Sequence, residues 1–588
     1  MYDLIIRGGT IVDGSGAPPF RGDVAIRGGT IAAVGRVEGA AKREIDATGL
    51  AVTPGFVDIH THYDGQVTWD AYLTPSCWHG VTTVVFGNCG VGFAPVRPDH
   101  HAYLISLMES VEDIPGTALA EGIHWEWETF PEFLDAVARR RLALDVAAQV
   151  PHGAVRTYVM GERGANNEPA TPEDIARMAE IVREGVAAGA LGFSTSRTIV
   201  HKAASGDPMP GTFAAEDELF GIGRVLGELG QGIFELAPVG SAGEDVIGAR
   251  REVDWMRRLS AEIGRPVSFA MLQVDADPKL WHEILEEASR AEAEGAELYP
   301  QVAGRPFGML IGHQTQYHPF RNRPSYEALM ELPFEQRVAR LREPAVRAAI
   351  LAEKAEHPDP FSAFLMSSYG KFFPLGVPLD YEPSPDKSIA AIAEREGRSP
   401  EEVLYDRMLD QDGRELLLFP LLNYSDGNCD AIYEMIQHPR AALGLGDGGA
   451  HCGIICDASI PTFMLSHWVR DRKRGPKLPV ELAVKRMTHD TAELYGLRDR
   501  GLLRPGYRAD LNVIDLARVA LRPPKMEFDL PAGGRRLLQR ADGYRYTIVH
   551  GEVTLRDGEP TGALPGGLVR GAQPAPGQRT EPAPAASA

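Results

Sequence analysis

The stretch Pro54-Gly55-Phe56-Val57-Asp58-Ile59-His60-Thr61-His62 decides how this chain is read, because a short apolar run ends there in two histidines spaced two apart. On a strand, residues i and i+2 face the same side, so His60 and His62 are expected to project together from its end. Paired imidazoles in that position suit a divalent metal. An isolated His-x-His is more often the polar close of an ordinary strand, so its meaning depends on the residues downstream.

Two later stretches repeat the form. Val81-Thr82-Thr83-Val84-Val85-Phe86 leads into Gly87-Asn88-Cys89-Gly90, and Ala442-Leu443-Gly444-Leu445-Gly446 leads into Asp447-Gly448-Gly449. A cysteine on a glycine-rich turn after a strand either brings a thiolate to the neighbouring strand end or is a buried, inert thiol. An aspartate in that place is a metal ligand, a general base or a turn former. Together His60, His62, Cys89 and Asp447, each closing a strand, make one coherent metal site.

Apolar runs at 57–62, 81–86, 144–150, 191–195, 233–237, 267–272, 297–302 and 442–445 read as strands. Helices lie between several of them. Thr171-Pro172-Glu173-Asp174 reads as an N-cap with proline at the first helical position and acids in the first turn. Ile175, Met178, Ala179, Val182 and Val186 follow at helical spacing, and further amphipathic helices fit 244–263 and 278–293. Such alternation, repeated about eight times, predicts an α/β fold: a (β/α)₈ TIM-like barrel with its site at the C-terminal strand ends. Its expected limits are 55–490. Short β runs at 1–54 and 491–565 predict a small β-sandwich built from both chain ends. The segment 307–422, rich in Pro and aromatics, reads as an insertion that forms a lid or substrate pocket. From 566 to 588, Pro, Ala and Gly dominate and predict a disordered tail.

Composition bounds the rest. A chain of 588 residues with 44% hydrophobic content has room for a large core and more than one domain. A net charge of −21 disfavours a nucleic-acid partner. Five cysteines without zinc-finger spacing suggest reduced thiols and a cytoplasmic setting. The first strand starts at once, with no signal-like segment, and no stretch reaches the apolar length of a membrane span. The expected partner is a small-molecule amide, and a homo-oligomer is compatible with the composition.

The residues around 54–64 and 87–92, the run Asp499-Arg500-Gly501-Leu502-Leu503-Arg504-Pro505-Gly506 and the return at Ala509-Asp510 resemble the amidohydrolase superfamily. Gly87-Asn88-Cys89-Gly90-Val91-Gly92, Pro151-His152-Gly153-Ala154-Val155-Arg156 and Gly192-Phe193-Ser194-Thr195 are similar to its N-acyl-D-amino-acid deacylase group, of which this chain looks like a divergent branch. The resemblance runs from residue 2 to about 556 and is weakest between 307 and 421.

That resemblance implies a zinc amide hydrolase holding one or two zinc ions at His60, His62, Cys89 and Asp447. Cys89 takes the place that a carboxylated lysine fills in most relatives. The metal would polarise the carbonyl and acidify a bound water, with Asp447 as general base. The group also carries metal-binding histidines on strands five and six. Here Glu235 stands in the first of those places, as a candidate ligand, and the sixth strand has no histidine. His152, from the matched motif, is carried over as a candidate substrate contact. Arg197, after strand four, is a candidate for binding a substrate carboxylate in a bidentate fork. His451, four residues past Asp447, either contacts substrate or is a plain loop histidine. The implied activity is hydrolysis of a linear amide such as an N-acyl-D-amino acid. Cyclic amide hydrolysis and a metal-free scaffold are the alternatives.

Overall fold

The structure is a computed structural model that describes residues 1–355 and 360–577. Among the described residues, two parallel sheets, one of three strands and one of six, carry its centre. Strands β1 (Phe56–Asp58), β2 (Val81–Phe86) and β3 (Asp145–Ala148) pair in sequence order. Directly after β3, the short strand Val150–Pro151 opens a second parallel run. It continues through β4 (Gly192–Ser196), β5 (Ile233–Ala237), β6 (Val267–Ala270), β7 (Leu298–Val302) and β8 (Ala442–Leu443). Every residue of β2 to β6 is buried, as parallel strands covered on both faces require. The extension of β8 returns to that of β1 through a parallel bridge between Thr61 and Gly448.

The connecting helices follow their sequence signals. Thr171 and Asp174 form a reciprocal capping box at the start of Pro172–Ala187, which buries Met178, Ile181, Val182 and Val186. Val246–Ile263 and Leu280–Ala293 lie within about two residues of the predicted spans. Among the described residues, no helix is long and apolar enough to cross a membrane.

Both chain ends enter one nine-stranded sheet, in which Leu511–Ile514 lies between Ala51–Pro54 and Tyr544–Val549. Leu4, Ile6, Val24, Val52, Leu511 and Ile548 share its core. The segment after β7 is more than a loop. Strands Phe307–Ile311, Phe373–Pro374 and Leu417–Leu422 make an antiparallel sheet over a separate core that includes Phe320, Tyr326, Leu341 and Tyr405. Leu310 N donates to Ile454 O at 2.7 Å and joins this subdomain to the loop after β8.

The tail expectation needs correction for residues 566–577. Gly566 N donates to Leu142 O and Val569 N to Val146 O, both at 2.8 Å, and Val569 is buried. Glycine is required there by close approach, since a Cβ on Gly566 would lie 2.2 Å from Leu144 O. Composition alone cannot separate that use of glycine from disorder. Residues 578–588 lie outside the described residues.

A buried ion network ties the terminal sheet to β3. Asp145 accepts from Arg500 Nη1 at 2.7 Å and from Arg508 Nη2 at 3.0 Å, and Arg500 also reaches Thr83 Oγ1 at 3.0 Å. Without Asp145, among the described residues Arg500 keeps only Asp499 and Arg508 only Asp510 as carboxylate partners, so the loss is part of the roughly 3–5 kcal/mol that a fully unpaired buried charge costs. Asp145→Asn should therefore lower the unfolding midpoint clearly in a denaturant titration. An unchanged midpoint would show that the network does not hold the two parts together.

Candidate metal centre

The site forms where the extensions of β1, β2 and β8 meet. Thr61 N and Oγ1 both donate to Val85 O, at 3.1 and 2.8 Å. Asp447 N donates to His60 O at 3.0 Å and His62 N to Gly448 O at 2.8 Å. Three residues of the site have left-handed backbones: Cys89 (φ 55°), Asp447 (φ 45°) and His451 (φ 51°). Each such non-glycine conformation costs roughly 1–2 kcal/mol and persists only where its surroundings enforce it.

His60 is oriented from behind. Its Nδ1 lies 2.8 Å from Gln301 Oε1, and Gln301 Nε2 donates in turn to Ser268 Oγ at 3.0 Å. An amide oxygen only accepts, so the proton sits on Nδ1 and the Nε2 lone pair faces the site. Nε2 stands 3.4 Å from both Cys89 Sγ and Asp447 Oδ1. His62 Nε2 is 3.7 Å from the same oxygen. One donor atom each from His60, His62 and Cys89 falls within a mutual 4.8 Å. Bonds of about 2.0–2.3 Å to a tetrahedral ion set donor separations of roughly 3.3–3.6 Å. The donors are therefore spaced to share an ion.

Electrostatics agree with that use. Burial pulls His60 down to about 4, so its imidazole is neutral. Burial pushes the Cys89 thiol well up, and only a cation at its sulfur would favour the thiolate. Burial also opposes ionisation of Asp447, but His62, His60 and His451 outweigh it and hold the carboxyl well below its usual range. For His62, burial acts downward, and the charges of Glu112 and Asp447 overcome it to raise the imidazole to about 9. The donor set, with a neutral imidazole, a carboxylate and a thiol, fits zinc.

The other expected residues divide. His451 joins the site, with Nε2 3.9 Å from Asp447 Oδ2. Glu235 lies close behind it: Oε2 accepts from Cys89 N at 3.1 Å, and Oε1 is 3.7 Å from His60 Nδ1, away from the lone pair that faces the donors. Two expectations need correction. Arg197 is engaged within the protein, because Nε reaches both oxygens of Glu252 at 2.8 and 3.0 Å and Nη1 donates to Ala214 O. His152 is fully buried between Thr195 Oγ1 at 2.8 Å and Glu218 Oε1 at 2.9 Å, where Arg156 also pairs with Glu218. Both ring nitrogens are thereby engaged, and His152 braces β4.

Sequence reasoning missed Glu112, the last residue of α1 (His101–Glu112). Its Oε2 lies 3.5 Å from His62 Nε2 and 3.6 Å from His451 Nε2. A signal was present: Leu104, Met108 and Glu112 follow at intervals of four, which places an acid on the helix's buried stripe. His201, hydrogen-bonded to Ser196 Oγ at 3.0 Å, is a further neighbour. Burial and then the charges of His451 and His62 lower its imidazole to about 3.

Comparison with known proteins matches residues 43–555 to the sequence profile of the amidohydrolase family. A D-aminoacylase of Alcaligenes xylosoxydans xylosoxydans is 29% identical over 533 residues, covering 88% of this chain and 89% of that protein. An N-acyl-D-aspartate deacylase of the same organism is 28% identical over 572 residues, covering 95% and 93%. Among solved structures, the D-aminoacylase described as defining a novel subset of amidohydrolases superposes with a TM-score of 0.63 at 24% identity, over 97% of this chain and 100% of that one. The N-acyl-D-glutamate deacylase of Bordetella bronchiseptica, complexed with zinc and a phosphonate inhibitor, gives 0.63 at 23%, over 97% and 99%. These two likenesses show a shared fold.

Gln301 offers a test of the site independent of its ligands. Gln301→Leu removes the acceptor that fixes the His60 tautomer, and loss of such a partner weakens metal binding by about 10–100-fold. Competition with a chromophoric chelator measures this directly. An unchanged zinc affinity would mean that His60 does not ligate through Nε2.

Proposed function

This chain belongs to the amidohydrolase family, and on that premise we propose that it is a zinc-dependent hydrolase of N-acyl amino acids, with N-acyl-D-amino acids as the substrate class. The observation that carries the reading is the convergence of His60, His62 and Cys89, all buried, at a mutual spacing that an ion can share, with Asp447 Oδ1 3.4 and 3.7 Å from the two imidazoles. The near full-length match to a D-aminoacylase and an N-acyl-D-aspartate deacylase supports the substrate class. The two parallel sheets are read as the barrel of that fold, with the site at the C-terminal ends of their strands.

At least one ion would be held by these four side chains. When bound, zinc supplies Lewis-acid polarisation of the amide carbonyl and a more acidic attacking water. The rest falls to the protein. Gln301 fixes His60 in the tautomer that presents Nε2. Asp447, held anionic by its imidazole neighbours, accepts the proton that the water loses as its oxygen bonds to the carbonyl carbon. The same carboxyl returns that proton to the amide nitrogen as the C–N bond breaks, leaving a carboxylic acid and an amine. The buried surroundings exclude bulk water and strengthen each of these interactions.

Asp447→Asn is nearly isosteric but cannot take the proton. Turnover should fall by about 10²–10⁴-fold while the folded state is retained. A few-fold loss would assign the base elsewhere. Substrate class is checked by release of amine from a panel of N-acyl-D- and N-acyl-L-amino acids. Turnover of the D series supports the assignment, and hydrolysis of cyclic imides alone would contradict it.

Thiolate ligation predicts a difference among the five cysteines, all free and buried. Cys89→Ser should lose most of its zinc after dialysis against a mild chelator, because a neutral hydroxyl ligates poorly. Serine variants of Cys77, Cys429, Cys452 and Cys456 should keep theirs. Equal retention in all five would remove Cys89 from the site.

A further inference from the structure

The loop after β8 runs on from Asp447 to Asp457 and borders a cavity shared with the strand Gly534–Leu538 of a C-terminal hairpin. Leu537 N donates to Cys452 O at 2.6 Å and fastens that hairpin to the loop. Asp447 and Asp457 both line the cavity, and so do Ile455, Arg536, Leu537 and Leu538.

Asp457 is only 2% exposed. Its buried partner Arg305 uses one of its oxygens alone: Nε at 3.0 Å and Nη2 at 2.6 Å both donate to Oδ1, and Nη1 turns to Ser459 Oγ at 3.0 Å. Oδ2 has no hydrogen-bond partner among the described residues. A buried carboxylate oxygen without a donor is costly, and such an atom in a folded protein calls for a reason. Burial raises the carboxyl to about 6 against the opposing charge of Arg305, so near neutral pH it is largely ionised and Oδ2 accepts. Arg536, the cation on the same cavity wall, is engaged: Nε and Nη2 hold the two oxygens of Asp529 at 2.7 and 2.8 Å, and Nη1 donates to Thr74 O at 2.9 Å.

The reaction indicates which half of a substrate meets this acceptor. Asp447 hands its proton to the leaving nitrogen, so the amine-bearing half lies against Asp447 as the C–N bond breaks. The cavity that Asp447 borders is therefore on the amino-acid side. We propose that Asp457 Oδ2 accepts a hydrogen bond from the end of the substrate's amino-acid side chain, which narrows the class to N-acyl-D-amino acids with an amide or ammonium side chain. This rests on the hydrolase reading above. Ile455, Leu537 and Leu538 take the methylenes, and Oδ2 takes the N–H. An acidic side chain would set a second carboxylate against Oδ2 with no proton between them, and an aliphatic one would bury Oδ2 unsatisfied.

The test is kcat/KM on two near-isosteric pairs with full-length zinc-loaded protein: N-acetyl-D-glutamine against N-acetyl-D-glutamate, and N-acetyl-D-lysine against N-acetyl-D-norleucine. Wild type should favour glutamine and lysine by about 10–100-fold within each pair. Asp457→Asn can keep an oxygen towards Arg305 while placing an N–H where Oδ2 stood. Its order in the first pair should invert to favour glutamate, which a purely structural role would not produce. Wild type that turns over these substrates without preference, or that favours glutamate or norleucine, would overturn the role of Asp457 and leave the hydrolase reading standing. A folded Asp457→Asn that keeps the wild-type order would overturn it as well. Wild type that hydrolyses none of the four would overturn both readings. The wild-type order decides by itself if the variant does not fold.

Discussion

The backbone pairing of His60–His62 with Asp447–Gly448 is the constraint on which the site depends. Asp447 N to His60 O at 3.0 Å and His62 N to Gly448 O at 2.8 Å bring the last parallel strand against the first. That contact sets a carboxylate opposite two imidazoles, and Gln301 then fixes the His60 ring. It also explains the glycine. A Cβ on Gly448 would fall 2.6 Å from Ser76 Oγ and 2.8 Å from Tyr63 Oη, which only glycine avoids. The left-handed backbones at Cys89, Asp447 and His451 are strain that this convergence maintains.

The charge balance around the pairing points the same way. Burial pushes Glu235 up to about 8 and both Asp58 and Asp64 up to about 7, all near Asp447 or His62. Burial thus favours the neutral forms of these acids, while the Asp447 carboxylate stays ionised beside His62, whose imidazole is raised to about 9. Arg197 and Arg156 are engaged elsewhere, with Glu252 and Glu218. A divalent cation held there would reverse the pressure of burial and favour the ionised form of each neighbouring acid.

Much of this is legible in the chain because it is local. Apolar runs ending in His60-Thr61-His62, Cys89 and Asp447 mark the strand ends, and Thr171 with Asp174 marks a helix start. The features that are not legible depend on distant partners. Arg197 looks free in the sequence because its partner Glu252 lies far along the chain, on the helix Val246–Ile263. His152 looks like a contact because nothing local shows that Thr195 and Glu218 enclose it. Glu112 reads as one more charge on a helix, although its place on the stripe of Leu104 and Met108 marks it as inward. Residues 566–577 have the composition of a loose tail, but their glycine serves close contact with Leu144.

The central claim is that a thiolate and imidazoles share one ion at the meeting of the parallel strands. X-ray absorption at the zinc edge of the purified protein measures this without reference to any substrate. The account predicts one sulfur scatterer at about 2.3 Å together with nitrogen or oxygen at about 2.0–2.2 Å. A shell of nitrogen and oxygen alone would contradict it, because Cys89 would then stand outside the metal site.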